Sequence, residues 1–174
     1  GLGIPAEPLF RSSFITIDKN AAGEFDLKIR IPGWVKGNVV PAPSDLYRYA
    51  DNKRLGFTYT VNGSTPAVAQ SADGYLVLTR KWKKGDKVQI HFDMEPRIVR
   101  ANNKVEADRG MVAIERGPLV YCTEHPDNQF DLFAALLNQE PKFALGETTI
   151  AGTKVTTLKI ARSEERRVGK ECRS

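Results

Sequence analysis

EFDLKIRI, residues 24–31, decides the fold class. Phe25, Leu27, Ile29 and Ile31 fall on one side of an extended chain, and Glu24, Asp26, Lys28 and Arg30 on the other. Unbroken period-2 alternation is what a strand needs when one face meets a core and the other meets water. The segment therefore predicts a half-buried antiparallel strand. Pro32-Gly33 ends it, because proline cannot donate to a ladder and glycine relaxes the turn.

Working outward, the same period recurs. Strands are expected at Phe14–Ile17 and across Phe57, Tyr59 and Val61, the latter closed by Asn62-Gly63. Asn-Gly is the strongest short hairpin signal, since both residues tolerate positive φ. Tyr75–Arg80 and Val88–Met94 read as a hairpin across Lys83-Lys84-Gly85-Asp86, and further strands are expected at Val112–Glu115, Leu119–Thr123 and Val155–Ile160. Residues 36–56 read as a long polar loop carrying Pro41, Pro43 and an exposed Tyr47/Tyr49 pair. One short helix is expected near 128–137, where Phe130, Phe133, Ala134 and Leu137 follow helical spacing behind Asp127 as N-cap. Many short strands with frequent turns predict an all-β, antiparallel β-sandwich of jelly-roll-like type. The composition changes around Glu124–Pro126, so the sandwich is expected over residues 10–125 and a further segment over 126–161.

Composition bounds the rest. With 174 residues, 41% hydrophobic and 27% charged, the chain has the make-up of an ordinary globular protein whose core needs neither disulfides nor metals. No apolar run approaches the roughly 20 residues that a membrane helix requires, so no membrane partner is expected. The formal charge of +5 invites a nucleic-acid reading. Residues 162–174 hold five basic and three acidic side chains, which leaves 21 basic against 18 acidic over the remainder. Those charges alternate with acidic neighbours, as Lys28 and Arg30 do beside Asp26, and describe a solvated sheet face. No nucleic-acid partner is expected.

The run RSEERRVGKECRS (162–174) has no aromatic residue, no Leu and no Ile. It reads either as a disordered charged tail or as a basic localisation patch. A third reading is preferred: the run resembles the in-frame translation of a sequencing adaptor, and it is expected to have no biological role. Setting it aside removes Cys172 and leaves Cys122 without a disulfide partner.

Candidate chemistry is sparse. Cys122-Thr123-Glu124-His125, followed by Asp127, contains the residue types of a nucleophile, base and orienter. Strand alternation instead sends Cys122 and His125 to opposite faces, which favours a small buried thiol. His91 and His125 have no second ligand at a metal-binding spacing, and His91 is expected on a solvated strand face. Asp86, Asp93, Glu95, Asp108, Glu115 and Glu124 are available for paired-carboxylate chemistry, but most fall at turns or on polar faces, where they are expected to be hydrated. Trp34 and Trp82 abut turns. They can stack on sugar rings, as can Tyr47, or plug the end of a sandwich, and packing is the preferred reading for the two tryptophans. No catalytic residue and no metal ligand is expected in this chain.

Several segments together carry a family resemblance: FDLKIRIPGWVKG (25–37), VNG (61–63), GYLVLTRKWKKGDKVQIHFDME (74–95) and GMVAIERGPLVYCTE (110–124). In this order the chain resembles the region after the catalytic barrel of glycoside hydrolase family 127, the bacterial β-L-arabinofuranosidases. SDLYRYADNK (44–53) resembles an insert in members from gut bacteria. The resemblance covers roughly residues 10–161. It implies a parent enzyme with an (α/α)-barrel, whose zinc site is built from cysteines and a glutamate, followed by β-sandwich domains. On that reading residues 1–9 are a linker from a missing barrel, and the fragment itself holds no cofactor. Its partners are the barrel and, through the aromatic residues, plant-wall oligosaccharides. An accessory role in arabinofuranoside hydrolysis is expected, with a stand-alone carbohydrate-binding module as the alternative.

Overall fold

The computed structural model describes residues 11–19, 23–39, 45–66, 70–123, 136–137 and 141–160. Among them are twelve strands. These are β1 (Ser12–Thr16), β2 (Glu24–Arg30), β3 (Tyr47–Tyr49), β4 (Phe57–Val61), β5 (Gln70–Ala72), β6 (Tyr75–Lys81), β7 (Lys87–Phe92), β8 (Pro96–Ala101), β9 (Val112–Arg116), β10 (Leu119–Tyr121), β11 (Phe143–Ile150) and β12 (Thr153–Ile160). All paired strands are antiparallel. The chain divides into two compact units, one spanning Ile4–Tyr121 and the other holding Cys122–Ser174.

The larger unit is built on a sandwich. One sheet has the order β1-β7-β4 and the other β2-β6-β5. The alternation of residues 24–31 is realised as expected: Phe25, Leu27 and Ile29 pack on the core while their polar neighbours are exposed. β7 repeats the pattern with Val88, Ile90 and Phe92 inside. Trp34, Trp82, Leu76, Leu78 and Met94 complete the same cluster. Full burial of one such aliphatic or aromatic side chain contributes about 1.5–3 kcal/mol, so this cluster dominates the unit's stability.

Three expectations change here. β6 and β7 do not form a hairpin. β6 pairs with β2 and β5, whereas β7 pairs with β1 and β4, so Lys83–Asp86 carries the chain from one sheet to the other. The Asn62-Gly63 turn does form, with φ of 53° and 81°, but beyond it only Val61 and Ser64 pair, because β4 belongs to β7. The expected polar loop over 36–56 contains β3. Of the helix expected near 128–137 only Leu136 and Leu137 are described, and neither is helical; the other positions lie outside the described residues.

A third sheet, in the order β10-β9-β8-β3, belongs to the same unit. The β9–β10 turn seals one end of the core. Gly117 has φ of 60°, and a Cβ there would lie 2.6 Å from Cε of buried Met94. The positive φ and that close approach both favour glycine there. In the smaller unit, β11 and β12 pair over eight residues, from Phe143 opposite Ile160 to Ile150 opposite Thr153.

Candidate functional site

β3 is short, and side chains make up for its few ladder bonds. Tyr49 lies opposite Val99 of β8, and Arg97 of β8 lies opposite Glu115 of β9. Adjacent positions on one sheet face thus bring an aromatic, a cation and an acid together. Arg97 is only 3% exposed. Its Nε and Nη2 donate to the Asp51 carboxylate at 3.2 Å and 2.7 Å, and Nη2 also reaches the Asp51 carbonyl at 3.4 Å. The guanidinium carbon sits 3.5 Å from the centre of the Tyr49 ring, a stacked cation–π arrangement. The Tyr49 hydroxyl donates to Oε2 of buried Glu115 at 2.9 Å.

The electrostatics follow from burial. Burial and the donated hydrogen bond to Glu115 both push the Tyr49 hydroxyl far above its ordinary range, so it stays protonated and keeps donating. Burial alone would raise the Asp51 carboxyl, but the Arg97 hydrogen bonds and the Lys53 backbone N–H outweigh it and hold Asp51 below the usual carboxylate value. Nη1 of Arg97 is buried with no hydrogen-bond partner. A buried charged donor left unsatisfied costs about 1–3 kcal/mol or more, which offsets part of what the Asp51 hydrogen bonds and the Tyr49 stack contribute.

The cluster borders a cavity of about 450 Å³ between β3, the loop after it and Lys36–Val39. Lys36, Arg48, Lys53, Arg54 and Arg97 line it against a single carboxylate, Asp51. Tyr47 stands at the cavity with 38% of its surface exposed, and its hydroxyl donates to Asp108 at 2.9 Å. That hydrogen bond is the main reason its hydroxyl is held above the ordinary range.

Trp34 and Trp82 lie inside the sandwich, 6% and 3% exposed. Trp34 meets the Phe92 ring edge-on at 5.9 Å. Trp82 packs on Phe25, donates Nε1–H to the Phe25 carbonyl at 3.1 Å and carries Arg80 over its ring. Neither presents an open face for a sugar, and packing accounts for both. Cys122 is exposed rather than buried as expected, because β10 ends at Tyr121 and strand alternation no longer applies to it. Glu124, His125 and Asp127 lie outside the described residues. His91, on the polar face, is half-buried and shares a 2.9 Å hydrogen bond with the Ser12 hydroxyl.

Hydration describes Asp93 and Glu95 but not Asp86 or Glu115, which are 7% and 4% exposed. Asp86 accepts from the Asn62 amide at 2.9 Å and from the Lys83 N–H at 2.8 Å, and these bonds hold its carboxyl below the usual range. It fastens the crossing turn to Asn62-Gly63. Arg97 and Glu115 were missed as a pair, although one signal was present. In PRIVRA, Arg97 and Val99 share parity, so any strand there puts a charge on the same face as an apolar side chain.

Comparison with known proteins places these elements. The family model described as the GH127 middle domain of β-L-arabinofuranosidases matches residues 8–94, and the GH127 C-terminal domain matches residues 96–163. The chain belongs to glycoside hydrolase family 127. A non-reducing end β-L-arabinofuranosidase of Bifidobacterium longum subsp. longum is 38% identical over 105 residues, which is 60% of this chain and 13% of that protein. A solved GH127 β-arabinofuranosidase superposes with a TM-score of 0.76 and 46% identity, covering 90% of this chain and 24% of that one. A GH127 β-L-arabinofuranosidase from Geobacillus stearothermophilus T6 gives 0.67 and 29%, covering 87% and 21%. The chain thus spans about a quarter or less of these relatives.

The domain match gives the cluster its meaning. β3 comes from the middle-domain segment, yet it pairs with β8, which opens the C-terminal segment. Asp51 to Arg97 and Tyr49 to Glu115 are therefore bonds across a domain seam. Among the described residues no group of three or more His, Cys, Asp and Glu side chains converges, and Cys122 is an exposed thiol beyond a strand end. Among the described residues, no helix is long and apolar enough to cross a membrane.

Proposed function

We propose that this chain is the non-catalytic β-sandwich portion of a glycoside hydrolase acting on plant arabinofuranosides, and that it supports an (α/α)-barrel domain of the same protein. The observation that carries the reading is the seam: a strand of one family domain is hydrogen-bonded into the sheet of the next and fixed by the Arg97–Asp51 pair, whose guanidinium is buried and whose carboxylate is partly exposed. Such a join serves geometry, since a buried ion pair adds little net stability but penalises every other arrangement of the two segments. The small share of the relatives' length that this chain spans fits a supporting portion. A stand-alone carbohydrate-binding module that stacks sugars on Trp34 and Trp82 is not favoured, because both tryptophans are spent on the core.

The test is hydrolysis of an aryl β-L-arabinofuranoside by the purified 174-residue chain with and without added zinc. No turnover above the zinc-only control is expected. Zinc-dependent turnover that disappears in Cys122→Ala would contradict the reading.

A further inference from the structure

We infer that the cavity beside β3 is a binding site for a carboxylate-bearing sugar, a role separate from the supporting one. The charge balance is the first observation. Five cationic side chains line the cavity against one carboxylate, Asp51, which is already committed to Arg97. Lys53 is engaged by Glu95 at 3.0 Å. Among the described residues Arg48 and Arg54 form no ion pair, and both are exposed at the cavity. Two uncompensated guanidinium groups beside one concave surface raise the local concentration of anions, and their planar forks match a carboxylate.

The second observation is the wall itself. Arg97, almost wholly buried there, has Nε and Nη2 committed to Asp51 and leaves the ligand to the exposed arginines. Size and polarity then select the ligand. A cavity of about 450 Å³ is on the scale of small-molecule sites. Asn38 and Asn52 add amide groups that both donate and accept, which suits hydroxyls. A sugar acid combines one carboxylate for the arginines with several hydroxyls for the amides. A neutral sugar lacks the first, and inorganic phosphate lacks the second.

Titration of the 174-residue chain with D-glucuronate and D-galacturonate, followed by amide chemical shifts at low salt, tests this. Saturable binding centred on residues 48–54 is expected, weakening several-fold as ionic strength rises past about 0.1 M. Arg48→Gln and Arg54→Gln are each expected to weaken it about three- to tenfold, roughly the effect of losing one exposed charged hydrogen bond. The double variant is expected to abolish it, with unchanged circular dichroism. L-arabinose and inorganic phosphate, titrated in parallel, are expected to bind at least about tenfold more weakly, the penalty for leaving one half of the site unmatched. Equal binding of arabinose or of phosphate, or undiminished binding by both single variants, would overturn the proposal.

Discussion

The sandwich core and the β3–β8 seam lie in one compact unit and are held by opposite means. The core joins its sheets with Val88, Ile90, Phe92, Leu76, Leu78 and Trp82, side chains without charge that pack from both faces. The seam joins two family domains with Arg97, Asp51, Tyr49 and Glu115 around a small apolar cluster of Val39, Tyr49 and Val99. Apolar burial is strong and tolerant of geometry. A buried charge is satisfied in one arrangement and costly in the rest. The core makes the unit stable, and the seam fixes how its parts are registered.

The largest break in this contrast is expected in the core. Ile90→Ala should cost about 2–5 kcal/mol, the transfer and cavity terms together, read as a shifted urea midpoint. Asp51→Ala should cost about 2–3 kcal/mol, less than a fully buried pair because Asp51 keeps a third of its side chain in water. The seam then makes a prediction that the core cannot. Arg97→Met in the Asp51→Ala background should restore most of the loss, since it removes the stranded charge. Truncating a core neighbour of Ile90 in the Ile90→Ala background should instead add to the loss.

Acid sharpens the difference further. Asp51 and Asp86 have carboxyls held below their ordinary values, so the stability they confer is present at neutral pH. It is lost as pH falls below about 4, where the unfolded chain takes up protons that the folded one refuses. Melting temperatures at pH 7, 4 and 3 should fall most steeply over the last step, and less steeply in Asp51→Asn. The smallest effect belongs to the exposed Lys53–Glu95 pair, with side chains 64% and 56% exposed. Lys53→Ala should change stability by less than about 1 kcal/mol, vanishing in high salt.

The same contrast explains what the sequence made legible. The strands of the sandwich announce themselves because each has one wet and one dry face, and period-2 alternation records that directly. β3 and β8 do not announce themselves. Tyr47-Arg48-Tyr49 sits in a polar stretch, and PRIVRA lacks a clean alternation because both of its faces are largely covered. The pairing of β6 was misread for a related reason: a turn signal marks where the chain reverses but not which sheet receives it. Lys83-Lys84-Gly85-Asp86 is a turn in either case, and what distinguishes a crossing is its bonds to distant segments: the Gly85 N–H donates to the Ile17 carbonyl at 2.8 Å, and Asp86 accepts from the Asn62 amide at 2.9 Å. At the candidate site, Tyr47 was legible as an exposed aromatic, whereas Arg97 was hidden because its partner Asp51 lies 46 residues away. Family membership came from motifs such as RGPLVY, whose Gly117 the structure explains by its contact with Met94.

Amide hydrogen exchange tests most directly whether the ion pair holds the domain seam. The Ala50 N–H donates to the Ile98 carbonyl across β3 and β8 at 2.8 Å, while the Ile90 amide belongs to the core sheet. In Asp51→Ala, Ala50 is expected to exchange at least about tenfold faster relative to Ile90, the rate ratio for a local loss of some 1.4 kcal/mol. Equal acceleration at both amides, or none at Ala50, would contradict it.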